Sequence, residues 1–220
     1  MDLKNKLLSR EYKESSVNKF ISHLKDRASG NNPIVPSVEN ACSMFIKVAN
    51  LGLEFDGVSV VLTGQNMFMT TFHGYKNKVL QTYPTAKFDV QLVRNGDDFS
   101  VKKESGKVMY SHVIANPFKD TKIIGAYVVI KIDDFDYLET LNDTDYEKMK
   151  KGSKQSFLWE KWESEFWLKS VVKRACKRHF YDVIADIDKQ DNLDYGLDNE
   201  VKEAEKKVDR IIDAFKENEV

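Results

Sequence analysis

The chain has little of several features that mark particular protein classes. It has only two cysteines, Cys42 and Cys176, too few for a disulfide scaffold or a metal framework. Its four prolines and ten glycines are dispersed, with no Walker loop and no G-x-G-x-x-G motif, so nucleotide-driven chemistry has no support. No apolar run approaches the roughly 20 residues that a bilayer span needs, and Met1 leads into charged residues. We therefore expect neither a membrane span nor a secretion signal.

What the chain does have is an uneven distribution of charge. Its net charge is −1, but residues 148–178 contain ten Lys or Arg against three Glu. Residues 181–220 contain thirteen acids against six bases, and residues 133–147 contain seven acids and no base. A basic segment in a near-neutral protein is typical of a surface that meets a polyanion, although solvated helix faces give the same pattern.

The hydrophobic period changes along the chain from helical to strand-like and back. Residues 1–52 follow the spacing of amphipathic helices, with Ser15, Ser16 and Ser37 as capping candidates. Short segments rich in Val, Ile, Phe, Thr and Tyr then predict antiparallel strands over 58–62, 66–73, 87–94, 99–103, 107–115 and 122–132, with a helix over 75–83. A long helix is predicted over 156–187.

These elements predict an α+β fold in which a small antiparallel or meander sheet packs against helices. We divide the chain into a helical N-terminal part (1–52), an α+β core (53–187) and an acidic helical tail (188–220). The core contains the long basic helix.

The long helix carries a ridge of cations. On a helical wheel Leu168, Val171, Val172, Ala175 and His179 fall on the side expected to face the sheet. The opposite side carries Lys169, Lys173 and Lys177, flanked by Arg174 and Arg178 and continued toward the N-terminus by Trp159, Trp162 and Phe166. Like charges at this spacing destabilise a helix, so the pattern favours a role in binding phosphate.

The aromatic part of this ridge has two interpretations. Aromatic rings can stack on unpaired bases, so the ridge suits single-stranded nucleic acid. Bulky aromatics at helical spacing are, however, more often core residues than ligand contacts.

Catalytic patterns are weak. Asp133, Asp134 and Asp136 have the chemistry of a nuclease metal site, although an acidic loop at a strand end fits them better. His179 follows Cys176 by three residues, which is only half of a metal site. The sequence predicts binding rather than bond breaking.

The order of several segments resembles the RecT family of phage single-strand annealing proteins. The resemblance covers about 37–180, and its segments in order are Asn50-Leu51-Gly52-Leu53, Phe72 to Val79, Val93-Arg94-Asn95-Gly96-Asp97-Asp98-Phe99, His112 to Pro117, Ile124 to Val129, Tyr146 to Ser153 and Trp162 to Phe180. It implies a non-catalytic recombinase, independent of ATP, that coats single-stranded DNA and anneals it to a complementary strand.

The resemblance also implies binding residues and partners. The family's basic helix corresponds to Lys169, Lys173, Arg174 and Lys177, and its Gly-Tyr-basic segment to Gly74, Tyr75 and Lys76, with Lys78 close behind; we add Arg178, Lys154 and Lys161 from the basic segment. The implied partners are single-stranded DNA, the annealed duplex, further copies in a ring or filament, a companion 5′-3′ exonuclease and the host single-strand-binding protein. The implied location is the bacterial cytoplasm, with no cofactor beyond Mg²⁺ as a DNA counterion.

Three alternatives remain open at this point. One is a metal-dependent nuclease, another is a structural or regulatory phage protein whose basic helix docks an acidic partner, and the nearest is a single-strand-binding protein that does not anneal. If the ridge binds DNA, Lys173→Glu with Lys177→Glu is expected to weaken binding and its salt dependence while leaving the fold intact.

Overall fold

The computed structural model describes residues 3–104, 107–152 and 156–195 and confirms the α+β class. The helices in these ranges are α1 (Leu3–Leu8), α2 (Glu14–Ala28), α3 (Val38–Asn50), α4 (Phe72–Thr82), α5 (Asp143–Gly152), α6 (Ser156–Lys161), α7 (Glu163–His179) and α8 (Tyr181–Tyr195). The strands are β1 (Val60–Gly64), β2 (Met67–Thr70), β3 (Lys87–Arg94), β4 (Asp98–Glu104), β5 (Lys107–Val113), β6 (Ile123–Ile132) and β7 (Phe135–Asn142). The predicted tail beyond residue 195 lies outside the described residues.

Side-chain caps fix where two of the helices begin. Ser37 caps α3 as predicted, since its Oγ accepts a hydrogen bond from the third residue of the helix. Thr71 caps α4 in the same way, and this ends β2 earlier than the strand predicted over 66–73. Ser15 and Ser16 are not caps, because α2 already begins at Glu14.

A three-stranded antiparallel sheet with β6 in its centre organises the middle of the molecule. The strand order is β3-β6-β7, and Val128 of β6 is aligned with Val90 on one side and Glu139 on the other. Side chains on that face of the sheet pack toward the helices. The β4–β5 hairpin covers the opposite face, where the rings of Phe99 and Tyr127 stack at 4.8 Å.

Strand β7 was not predicted, because its inward-facing residues include a charge. In the sequence, the residues of β7 were interpreted as part of an acidic block and not as a strand. In the structure Tyr137, Glu139 and Leu141 alternate toward the helices, and Glu139 is only 4% exposed. A carboxylate in the middle of the inward set conceals the two-residue period of a strand. Its burial requires partners from another element.

The helix predicted over 156–187 is three helices. The chain leaves helical geometry at Trp162 (φ −124°, ψ 42°) and again at Phe180 (φ −138°, ψ 35°). Neither position has a glycine or proline, the residues from which a helix break is usually predicted. The second break lets the Phe180 ring pack 5.6 Å from Tyr83 and 5.2 Å from Tyr137. Tertiary packing thus divides a continuous helical pattern.

The main core joins the N-terminal helices, the sheet and the C-terminal helices in one cluster. It extends along the chain from Leu7 to Ile187. Near its centre the ring of Trp167 on α7 stacks on Tyr146 of α5 at 4.0 Å. The predicted division at residues 52 and 187 stays a prediction, and the second boundary falls inside α8. Helix α7 is therefore held by elements on several sides.

Candidate nucleic-acid interface

Five cations of the predicted ridge, here called the α7 cation cluster, lie along α7; they are Lys169, Lys173, Arg174, Lys177 and Arg178. Helix α7 contacts the sheet on one side and both α4 and α8 on another. Exposure rises toward its C-terminus: Lys169 is 8% exposed, and the side chains of Lys173 and Arg178 are 19% and 58% exposed. Only the C-terminal part of the cluster is open to solvent.

The expectation of a fully exposed ridge opposite one buried face was wrong. Lys169 is buried, whereas His179, expected to face the sheet core, is exposed with its ring 5.0 Å from Tyr137. A helical wheel assumes that one face of a helix is covered. Because α7 is packed on more than one side, its second face is covered as well.

Two lysines of the cluster share one buried carboxylate. The Nζ atoms of Lys173 and Lys177 each lie 2.8 Å from a different oxygen of Asp188 on α8. Burial by itself raises the pKa of Asp188, but the two lysines outweigh it and hold the pKa below its ordinary value. The i, i+4 spacing brings both ammonium groups to the same carboxylate, which offsets their mutual repulsion.

The two arginines are paired on another side of α7. Arg174 lies 3.2 Å from Glu139 through its Nε and donates a 2.8 Å hydrogen bond to Asp145 of α5. Arg178 donates a 2.6 Å hydrogen bond to Glu139. The hydrogen bond from Arg174 lowers the pKa of Asp145, with a further contribution from its charge. Arg174 and Arg178 are thus the partners that the buried Glu139 requires.

Sequence reasoning missed these three carboxylates as parts of the site. For Glu139 and Asp145 the available signal was the block 133–147, with seven acids and no base, beside the most basic segment of the chain; Asp188 lies outside that block. Hairpin β6–β7 and α5 bring two acids of that block, Glu139 and Asp145, against the arginines of α7. Only the tertiary structure reveals that pairing.

The family of the chain follows from its sequence profile. The profile of the RecT family matches residues 42–210, well over half of the chain and beyond the end of the resemblance described above. The chain belongs to the RecT family. Among curated proteins, no relative matches it. RecT-family proteins bind and anneal single strands in phage-type recombination and are generally non-catalytic, so a basic helix in this chain is of functional interest.

The RecT-like segment at the start of α4 packs against α7. Tyr75 has no exposed surface, and the Nζ of Lys173 lies 5.9 Å from the centre of its ring. Gly74 lets α4 lie close to Thr70 and Ser59, because a Cβ there would lie 2.5 Å from the Thr70 Cγ2 and 2.6 Å from the Ser59 carbonyl oxygen. The structure thus places Tyr75 beside the α7 cation cluster, but with no ring face open to a base. A DNA contact by Tyr75 stays a prediction.

The two lysines that follow on α4 point to different neighbours. The Nζ of Lys76 lies 5.8 Å from the ring centre of Phe88 on β3. Lys78 donates a 2.8 Å hydrogen bond to the carbonyl of Leu51, directly after α3. That contact places a positive charge at a helix C-terminus, which is favourable by itself. Lys78 therefore has a structural role whether or not it meets DNA.

The N-terminal end of the predicted ridge divides into buried and exposed residues. Lys154 lies outside the described residues, and the Lys161 Nζ lies 5.6 Å from the ring centre of Trp162. Phe166 is buried and stacks at 4.6 Å on Trp159, so the core interpretation is confirmed for Phe166. Trp162 remains 53% exposed.

The alternative nuclease residues lie around one hairpin turn. Asp133 and Asp134 form the turn between β6 and β7, and Asp136 lies 3.7 Å from Lys131. The interpretation as an acidic loop at a strand end is confirmed for Asp133 and Asp134, whereas Asp136 lies within β7 and is aligned with Lys131. Across the described parts of the chain, no three His, Cys, Asp or Glu side chains are grouped to hold a metal ion.

None of the described helices is long and apolar enough to cross a membrane.

Proposed function

We propose that this RecT-family chain anneals complementary DNA strands without ATP, using the exposed end of the α7 cation cluster to bind phosphates. The observation that carries the proposal is that Lys177 and Arg178, 42% and 58% exposed at the side chain, lie together in the last turn of α7. A lysine has three donors and an arginine five, so a carboxylate partner leaves donors for a phosphate.

The physical task is to bring together two strands that repel each other through their phosphates. Cations that replace condensed counterions lower this repulsion and leave the base edges free to pair. We expect little sequence preference, because phosphate contacts carry no sequence information. Glu139 and Asp188 compete with DNA for these cations, which keeps each contact weak and exchangeable.

The proposal extends to assembly and partners. We propose head-to-tail copies in a ring or filament, because a repeated polymer requires repeated sites in register. No nucleotide is required, and Mg²⁺ acts only as a DNA counterion. A companion 5′-3′ exonuclease and the host single-strand-binding protein are the proposed protein partners, and the bacterial cytoplasm is the proposed location.

The ion pairs change which variant tests this function. Reversing Lys173 and Lys177 to Glu places two further carboxylates beside the buried Asp188, so that variant is not expected to keep its fold. The better variant neutralises the two most exposed members, Lys177→Gln with Arg178→Gln. A charge-matched control is Lys19→Gln with Lys102→Gln, since both lysines are exposed and lie on α2 and β4.

We expect the Lys177→Gln, Arg178→Gln variant to bind a labelled single-stranded oligonucleotide more weakly than the control variant. The plot of the logarithm of the binding constant against the logarithm of the salt concentration should become less steep, by about 0.7 for each lost phosphate contact. Fluorescence anisotropy over a salt series measures the slope, and annealing of complementary oligonucleotides without ATP measures the function. A gel of the products verifies that the strands stay intact.

Each alternative gives a different result in the same assay. Shortened strands in Mg²⁺ or Mn²⁺ would support the nuclease, and tight binding with no faster annealing would support a simple single-strand-binding protein. No binding at physiological salt would support docking of an acidic protein partner. Unchanged affinity and slope in the folded double variant would refute the α7 cation cluster as the DNA site.

A further inference from the structure

Trp162 is a large aromatic side chain that packing within the described residues leaves about half exposed. The chain has three tryptophans; Trp167 has no exposed surface, and Trp159 stacks on Phe166 and lies 5.3 Å from the ring of Tyr146. Trp162 is 53% exposed. A large apolar ring left in water forgoes the free energy that burial would provide, so a ligand that covers the ring would gain that free energy.

The backbone gives the reason for this exposure. Trp162 lies between the last residue of α6 and the first residue of α7, and its backbone angles are φ −124° and ψ 42°. Its carbonyl oxygen still accepts the first hydrogen bond of α7, from the backbone N of Phe166, so the break is ordered. In a continuous helix Trp162 would share a face with Phe166, four residues later, which is buried. The break directs only Trp162 away from the core.

The charges around Trp162 are of both signs, since Glu163 and Glu165 lie in the first turn of α7 and Lys161 directly precedes Trp162. The Lys161 ammonium lies 5.6 Å from the ring centre, within the range of a cation–π contact. The nearest upstream acid, Glu160, is paired with Lys150 of α5 at 3.4 Å, and Lys151 beside it is exposed. An aromatic face next to a cation matches the two parts of a nucleotide, a base and a phosphate.

We propose that Trp162 stacks on an unpaired base of bound single-stranded DNA while Lys161 meets the adjoining phosphate. This rests on the proposed function and adds a base contact to a site otherwise composed of phosphate contacts. Only an unpaired base offers a free face, so the contact favours single strands over the annealed duplex.

The test compares normal and abasic DNA. The probes are a labelled oligothymidylate and an oligonucleotide of the same length made of abasic deoxyribose phosphate, which carries the same charge without bases. The variants of the full chain are Trp162→Ala and Trp162→Phe. Phe135→Ala is the matched control, since Phe135 is 67% exposed but is the first residue of β7, between the acids Asp134 and Asp136.

We expect Trp162→Ala to weaken binding of oligothymidylate by about 5- to 150-fold, the range for one lost stacking contact. Binding of the abasic oligonucleotide should not change, and neither should the salt slope, because the variant removes no charge. Trp162→Phe should retain most of the affinity, and Phe135→Ala should match the wild type. DNA-dependent quenching of tryptophan fluorescence should be lost in Trp162→Phe.

Two results separate failure of this inference from failure of the proposed function. If the wild type binds and anneals DNA and Trp162→Ala does so equally well, the stacking contact is refuted and the function stands. An equal loss on normal and abasic DNA would also refute stacking, because it would reflect structure or charge. If the folded wild type binds neither probe, both proposals are refuted.

Discussion

Single residues decide how closely the elements of this protein approach each other. Gly74 is the sharpest case, since its missing Cβ lets α4 pass within van der Waals distance of the Ser59 backbone. The resemblance to the RecT family identified the Gly-Tyr-basic segment, but gave no reason for the glycine. The structure supplies one, because a Cβ at this position would clash with the Thr70 side chain and the Ser59 carbonyl.

We predict that Gly74→Ala destabilises the protein. The added Cβ would meet Thr70 at 2.5 Å and the Ser59 carbonyl at 2.6 Å, and overpacking of this kind costs about 1–3 kcal/mol. Gly152→Ala is the matched control, since no atom lies within 4 Å of its added Cβ, and alanine is favoured in helices by up to about 1 kcal/mol. Urea unfolding measures both changes. Equal stability of the two variants would contradict the close approach.

At the scale of elements, ion pairs attach the helices to each other. Helix α7 is connected to α8 through Asp188 and to β7 through Glu139, so its cations have a structural role besides any contact with DNA. A buried carboxylate without its partner is costly. Under the proposed function, DNA that draws Lys177 or Arg178 away would weaken the attachment of a neighbouring element and would couple binding to local structure.

The α7–α8 ion pairs predict a dependence of stability on pH. The pKa of Asp188 is below its ordinary value of 3.8 in the folded state, so the folded protein binds this proton less readily than the unfolded chain. The stabilisation is complete above that value and is lost as the pH falls through the folded pKa. One proton corresponds to a slope of about 1.4 kcal/mol per pH unit.

Asp188→Asn should remove this contribution. The free energy of unfolding of the variant should be lower at pH 7 and fall less steeply below pH 4 than that of the wild type. Asp186→Asn, an exposed neighbour on α8, is the control and should keep the wild-type slope. Urea unfolding over a pH series measures the slopes. Parallel curves for wild type and Asp188→Asn would show that the α7–α8 pairs contribute no pH dependence.

At the scale of the whole molecule, one chain is small compared with its substrate. Helix α7 has 17 residues, a length of about 26 Å at 1.5 Å per residue, so one copy reaches only a few nucleotides. Coating a long strand requires many copies, and their contacts must be heterologous for the sites to continue in register.

We predict that complexes with single-stranded DNA grow with the length of the strand. Mass photometry of the protein with oligonucleotides of increasing length should show particle masses that rise in steps of one chain. The Lys177→Gln, Arg178→Gln variant should form fewer such complexes at the same salt concentration. One fixed mass on strands of every length would contradict the repeated-site model.

Much of the fold was accessible from the sequence, because periodicity and capping are local. The Ser37 cap, strand β3 and the end of β6 at Ile132 agree with the pattern. The prediction failed where tertiary contacts override local preference. Strand β7 was missed because Glu139 interrupts its apolar pattern. The helix breaks at Trp162 and Phe180 were missed because neither position has a glycine or proline. The family was identified from the order of its segments and is confirmed over residues 42–210.

The sequence by itself determined the fold class, the family and the concentration of cations on one helix, since these depend on composition and on residues close in the chain. Only the tertiary structure decided which cations are open to DNA. Exposure and pairing depend on elements distant in sequence, and it is α8, α5 and β7 that bring carboxylates to the cations of α7. For the same reason, only the structure distinguished the exposed Trp162 from its buried neighbour Phe166.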